Sequence, residues 1–253
     1  MKTGVTLSPG HLYSGMKQLF FLLFAFIQTS RAQTIIKPGD PGIHYEWLTN
    51  DHDFYKVIVF DSTGRKKLEI MNEQVQTIDS AKHTILSARI RQVPFGRQMI
   101  DTSICTATLT PIRMHEYDQP KTFEHDFHFA GTKAYIKDLK KGMLSIDTFN
   151  MTEGYFDENS IEGFLAVIPF EKGREYRLNS FRIGQPGKIN SYDIEYVFDD
   201  TWGLPGDNDL NCNVLRFKNA YSSGYIWIDR RKHKMVKEYI RMDSGDKVLV
   251  VER

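Results

Sequence analysis

The run Phe123-Glu124-His125-Asp126-Phe127-His128-Phe129 constrains the fold more than any other stretch of the 253 residues. Phe123, His125, Phe127 and Phe129 point one way, and Glu124, Asp126 and His128 the other. A period of two is the geometry of a pleated strand with one buried face; a helix would scatter the same rings around its circumference. Similar short runs follow one another along the chain, each closed by turn residues. Residues 55–60 end in Asp61-Ser62-Thr63-Gly64, and residues 113–117 turn through Asp118-Gln119-Pro120-Lys121 into 122–129. Residues 84–91, 101–110 and 133–137 read as strands in the first half; 175–183, 192–199, 213–217, 224–229, 235–242 and 247–251 do so in the second. This succession predicts a mainly β chain: hairpins forming a curved antiparallel sheet or partial β-barrel. An aromatic share of 13%, mostly Phe and Tyr, fits strands better than a helix bundle.

One helix interrupts the pattern. Ile161, Phe164, Leu165 and Ile168 recur at helical spacing and form one apolar stripe. Asn159 with Glu162 three residues later has the form of a capping box, and Pro169 stops continuation, so a helix is expected over residues 159–168. Residues 33–42 carry two Pro-Gly-type breaks and read as an irregular lead-in; 201–211 read as a loop.

The first 32 residues read as an address. Lys17 precedes nine apolar residues, Leu19 to Ile27, and Ser30-Arg31-Ala32 gives a small-x-small cleavage site. That is the anatomy of a secretory signal, with Met16 an alternative start, and nine residues are too few to span a bilayer. The expected product is a single β-rich domain over residues 33–253, periplasmic or secreted, with no membrane span after removal of the signal. Beyond the leader stand 30 basic and 32 acidic residues, a balance without the global field that nucleic acid would require. Export permits a disulfide between Cys105 and Cys212, and two buried free thiols are equally compatible with the sequence.

Several constellations invite chemistry. His115, His125 and His128 lie in adjacent strands, but His125 and His128 face opposite ways, so no metal is expected there. Asp207-x-Asp209-x-Asn211 opens like a calcium loop, yet Cys212 and Lys218 stand where Gly and Glu are needed. Arg230 to Lys234 read as a solvated hairpin turn. No nucleophile elbow and no phosphate loop occur, so the chain is not read as an enzyme and no cofactor is expected. A hydrolase with a spatially assembled site stays open, to be revived by clustered carboxylates or a Ser–His pair in a cleft.

From Thr102 onward a set of features occurs in order. Leu109-Thr110-Pro111 leads into the paired strands over 113–129, and the helix over 161–168 follows. Then come Pro169-Phe170-Glu171-Lys172-Gly173-Arg174-Glu175-Tyr176, and last Ile226-Trp227-Ile228-Asp229 before Arg230-Arg231-Lys232-His233-Lys234 and a final hairpin. This order resembles the exported bacterial family called domain of unknown function 3108. That family is similar in outline to the periplasmic carriers and outer-membrane receptors of lipoproteins (LolA/LolB-like), incomplete antiparallel barrels closed by helices around a greasy cavity. The resemblance implies that architecture and transfers no functional residue. A receptor's lipid-anchoring Cys is absent after the cleavage site.

The leading expectation is a periplasmic protein that binds a lipid-like or other apolar ligand in the concave face of its sheet. Phe123, Phe127, Phe129, Phe164 and Ile168 would be its walls. The alternative is a module that binds an envelope protein and holds no small ligand, its Phe rings filling a solid core.

Overall fold

The computed structural model describes residues 33–93, 96–119, 121–140, 143–151, 154–181, 189–203 and 209–253, the Glu162 side chain excepted. The expected leader, Asp207 and the Glu162 half of the expected capping box lie outside the described residues. Residues Gln33–Arg253 form one compact unit.

The unit is one large sheet. Its strands are β1 (Thr34–Ile36), β2 (Asp51–Phe60), β3 (Lys66–Asp79), β4 (Thr84–Val93), β5 (Arg97–Thr106), β6 (Pro111–Gln119), β7 (Phe123–Ala130) and β8 (Lys133–Lys140). They continue as β9 (Met143–Asn150), β10 (Phe156–Asp157), β11 (Glu175–Phe181), β12 (Ile189–Trp202), β13 (Leu210–Lys218), β14 (Ser222–Asp229), β15 (Lys234–Met242) and β16 (Lys247–Glu252). Helix α1 (Ile161–Leu165) lies between β10 and β11. From β2 to β9, and again from β11 to β16, each strand pairs antiparallel with the next. The two meanders join where β16 pairs with β2. The order is therefore β1-β11-β12-β13-β14-β15-β16-β2-β3-β4-β5-β6-β7-β8-β9, and β1 and β10 both add to β11 in parallel.

Because the sheet curves, the inner faces of distant strands meet. One core joins Ile85 of β4 and Cys105 of β5 to Leu178 of β11, Leu215 of β13 and Ile226 of β14, with Phe156, Phe164 and Leu165 between them. Helix α1 is thus a plug inside a partial barrel, with Ile161, Phe164 and Leu165 buried; Val167 just beyond it, on no predicted stripe, is 1% exposed. It is shorter than the expected 159–168. Leu165 is its last residue, and Val167 and Ile168 turn on short bonds to the Phe164 and Leu165 carbonyls, because the residue before Pro169 is driven out of helical geometry. Asn159 does not cap it. Ser160 occupies the cap position without a side-chain cap bond, and the Asn159 amide (2.9 Å) and Ser160 hydroxyl (2.9 Å) both donate to the buried Asp157 carboxylate.

The lead-in is more ordered than its composition suggests. Ile36, Ile43 and Leu48 enter the same core, and the Gly39 amide donates to the Thr108 carbonyl (3.0 Å). It is a strap that runs from β11 to the β5–β6 turn. That turn also shortens the strand expected over 101–110, since β5 ends at Thr106 and Leu109 takes a left-handed φ of 67° while wholly buried. A second cluster holds Met114, Phe127, Ile136, Tyr155 and Phe181. A third, of Cys212, Val214, Trp227 and Val236, lies on the outer face of β13–β15.

This division keeps apart the two cysteines of the possible disulfide and leaves the alternative, two buried free thiols. Cys105 shares the inner face with Asp101 and Ser103, whereas Cys212 alternates with the inward Leu215 and Phe217 and so faces outward. Both thiols are free and buried. Burial pushes the Cys105 thiol well up, and pushes Cys212 up to about 11 with help from Asp229 and Asp200.

Candidate functional site

Period-two alternation brings a row of titratable residues onto the inner face. Arg89 of β4 pairs with Asp101 of β5, Asp101 with Glu116 of β6, Glu116 with His125 of β7, and His125 with Asp138 of β8. Directly paired residues share a face, so the row crosses five strands on the concave side. Arg91, two residues along β4, reaches into it. Its guanidinium lies 2.6 Å from Asp101 Oδ2 and donates to Glu116 Oε1 at 3.1 Å. His125 Nδ1 lies 3.1 Å from Asp138 Oδ1. Burial, with the facing Asp101 carboxylate, pushes the Glu116 carboxyl up to about 7, even against Arg91.

This row borders a cavity of about 440 Å³ in the concave face. Arg89, Arg91 and Glu116 form one wall; Ile161 and Leu165 of α1 and the adjoining Glu158 form the floor. Across from them stand Tyr192, Phe217, Ile226, Glu238 and Ile240 from β12 to β15, with Asn219 and Ser222 at the β13–β14 turn. The positions are fixed from several sides. The Tyr192 hydroxyl (3.0 Å) and the Asn190 amide (3.3 Å) donate to Glu158, and Arg89 donates to the Asn159 carbonyl (3.0 Å). The lining is therefore part apolar and aromatic, part charged. Larger depressions of about 520 and 890 Å³ involve outer-face residues, Arg216 and Tyr225 in one, Trp202 and Arg230 in the other.

The five expected wall residues fall into two groups. Phe127 is wholly buried and meets Phe181 edge-on at 5.3 Å between centroids; Phe129 meets the same ring at 5.2 Å. Phe123 lies beside His125, 5.4 Å away. Phe164 and Ile168 belong to the separate core around α1. None of the five borders the 440 Å³ cavity; their helix neighbours Ile161 and Leu165 do.

Sequence reasoning missed the arginines and glutamates of the cavity because they lie far apart in the chain. The readable signal was parity: His125 shares the Phe127 face, and charged partners on that face of neighbouring strands must meet it. The other two histidines are outside. His115 Nε2 is 2.7 Å from Glu124, and His128 Nε2 is 3.5 Å from Asp126. Among the described residues no group of three His, Cys, Asp or Glu is placed to hold a metal ion. The basic run forms the β14–β15 turn, but Lys234 is not solvated. It pairs with Asp53 (2.7 Å) and with Glu252, contacts that raise its ammonium despite burial.

A family model described as a protein of unknown function, DUF3108, matches residues 50–251. The chain belongs to this family. The DUF3108 match runs from the start of β2 to the last residues of β16 and so covers all the strands that wall the cavity. Among solved structures, the beta-barrel-like protein of domain of unknown function DUF1849 from Brucella abortus is similar, with a TM-score of 0.54 at 8% identity over 81% of this chain and 98% of that one. At that identity the likeness is one of fold: a DUF3108 chain and a DUF1849 chain share a barrel-like sheet. No curated protein matches. Among the described residues no helix is long and apolar enough to cross a membrane.

Proposed function

We propose that this DUF3108 chain is a binding protein, not an enzyme. Exported by its leader, it holds a small amphipathic molecule, lipid-like in its tail, in the concave face of its sheet. The 440 Å³ cavity carries this reading. Its volume is in the range of small-molecule sites, and one enclosure offers Ile161, Leu165, Phe217, Ile226 and Ile240 to a tail, and charged groups to a head. Binding rather than catalysis is supported by how the carboxylates are held. Glu116 is tied to Arg91 and Glu158 to Tyr192 and Asn190, as fixed acceptors. Asp101, the other member of the carboxyl pair, lies behind Arg91 and does not border the cavity.

The test is native mass spectrometry of the protein purified from its own compartment, followed by organic extraction. An added mass that leaves with the solvent is the expected outcome. A bare polypeptide that also fails to take up an amphipathic fluorescent probe sinks the reading. A second reading, a protein-interaction module, rests on a different observation. Strand β9 ends the sheet, with Met143 74%, Leu144 55% and Ile146 72% exposed.

A further inference from the structure

On the outer face of the sheet, Lys218 of β13 pairs with Ser223 of β14, Ser223 with Arg241 of β15, and Arg241 with Lys247 of β16. Directly paired residues share a face, so the four side chains stand in one row across four strands. Phe217 and Ile240, one residue before Lys218 and Arg241, pack into the main core, which puts the row outside. Neighbouring strands lie about 4.8 Å apart, so Lys218 and Arg241 flank Ser223 at about 10 Å from each other, within reach of one small group held between them. Other cations of this face are committed: Arg177 to Asp193 (2.7 Å), Arg216 to Glu195, and Lys67 to Asp246 (2.9 Å). Among the described residues Lys218, Arg241 and Lys247 form no ion pair, and the Ser223 hydroxyl makes no hydrogen bond. Arg241 and Lys247 stand directly opposite each other, and like charges in that position repel. Two residues along β14 and back along β15, Tyr225 and Tyr239 form the next pair on the same side. Lys218, Ser223, Arg241 and these two rings line the depression of about 520 Å³. Of its carboxylates, Asp193 and Glu195 are the ones held by Arg177 and Arg216, and Glu175 lies three strands from Ser223.

We propose that this row binds a phosphate ester, its phosphate over Ser223 between Lys218 and Arg241 and the group that carries it against Tyr225 and Tyr239. The planar fork of Arg241 takes two phosphate oxygens, Lys218 and Lys247 supply point charges, and the Ser223 hydroxyl donates to a third oxygen. A phosphate monoester brings three acceptor oxygens and nearly two negative charges, which also ends the repulsion between Arg241 and Lys247. A carboxylate, with two oxygens and one charge, leaves part of the row unanswered. The site lies on the opposite face from the 440 Å³ cavity and does not rest on the binding reading above. A soluble ester and the headgroup of a phospholipid present the same chemistry to it.

The test is a titration of the isotope-labelled chain with phenyl phosphate and with benzoate at about pH 7, followed by backbone amide shifts. Shifts confined to the neighbourhood of Lys218, Ser223, Tyr225 and Arg241 are expected, with benzoate about tenfold weaker. Lys218 and Arg241 are exposed, so Lys218→Gln and Arg241→Gln leave the fold alone, and each should weaken phenyl phosphate about tenfold. Lys133→Gln removes an equally exposed charge from β8 and should leave the affinity unchanged. Equal losses in all three variants, shifts scattered over the surface, or no shift at all overturn the site. Benzoate binding as tightly as phenyl phosphate overturns phosphate as the ligand class. Co-sedimentation with phosphatidylcholine vesicles, with and without phosphatidylglycerol, then separates the two sources. Pelleting that Arg241→Gln abolishes assigns the site to a lipid headgroup; a chain that binds phenyl phosphate and stays in the supernatant assigns it to a soluble ester.

Discussion

At the scale of single residues, Glu116 links the site to stability. Its carboxyl holds a proton up to about 7 in the folded chain, against an ordinary 4.5. A group raised on folding favours the folded state most below its unfolded pKa, and that contribution is lost as pH rises through the folded value. Between about pH 5 and 7 the chain should therefore lose on the order of 2 kcal/mol through this residue. Urea titrations across that window check it: Glu116→Gln should flatten the decline, and equal slopes in the two proteins would assign the effect elsewhere. The same residue shows what a single sequence conceals. Glu116 looks like any charged residue in a strand, and its environment exists only because Asp101 and His125 arrive from neighbouring strands. Phe127 was legible as inward-facing, since its own strand supplies the alternation; that Phe181 fills the space beside it was not.

Among the elements, those with one buried face were readable and those without were not. Strands β5, β7 and β13 alternate because one side meets the core. Strand β3 has fourteen residues and none is buried, so it carries no apolar period to read. In β9 only Phe149 is better than exposed. Strand β1 is three residues long and exists through its pairing with β11, a partner that local propensity cannot see. One element depends on a missing side chain. A Cβ on Gly224 of β14 would fall 1.9 Å from the Tyr239 carbonyl oxygen of β15 and 2.9 Å from the Phe217 ring. Gly224→Ala should therefore separate β14 from β15 and cost about 3 kcal/mol, more than an ordinary surface change. Chemical denaturation measures it, and a loss below about 0.5 kcal/mol would mean that the strands yield without strain.

For the whole molecule, the curved sheet sorts residues by side, and side decides what can meet. Cys105 and Cys212 are both buried, yet they lie on opposite faces. Thiol titration should find neither reactive in the native chain and both after unfolding without reductant; a silent unfolded sample would reveal a disulfide. The β-rich, barrel-like outline was legible because repeated alternation and turn residues imply it. The joining of the two meanders was not, since it depends on which strands far apart in the chain become neighbours.

That joining also governs when the sheet can form. Strand β2, near the start of the described residues, has β16 as a neighbour, and Thr34 of β1 waits for Tyr176. A ribosome delivers the chain from its N-terminus, so the β1–β11 seam waits for residue 176 and the β16–β2 seam for residues 247–252. The two meanders are therefore obliged to remain separate until β16 has been delivered, and that one strand makes them a single sheet.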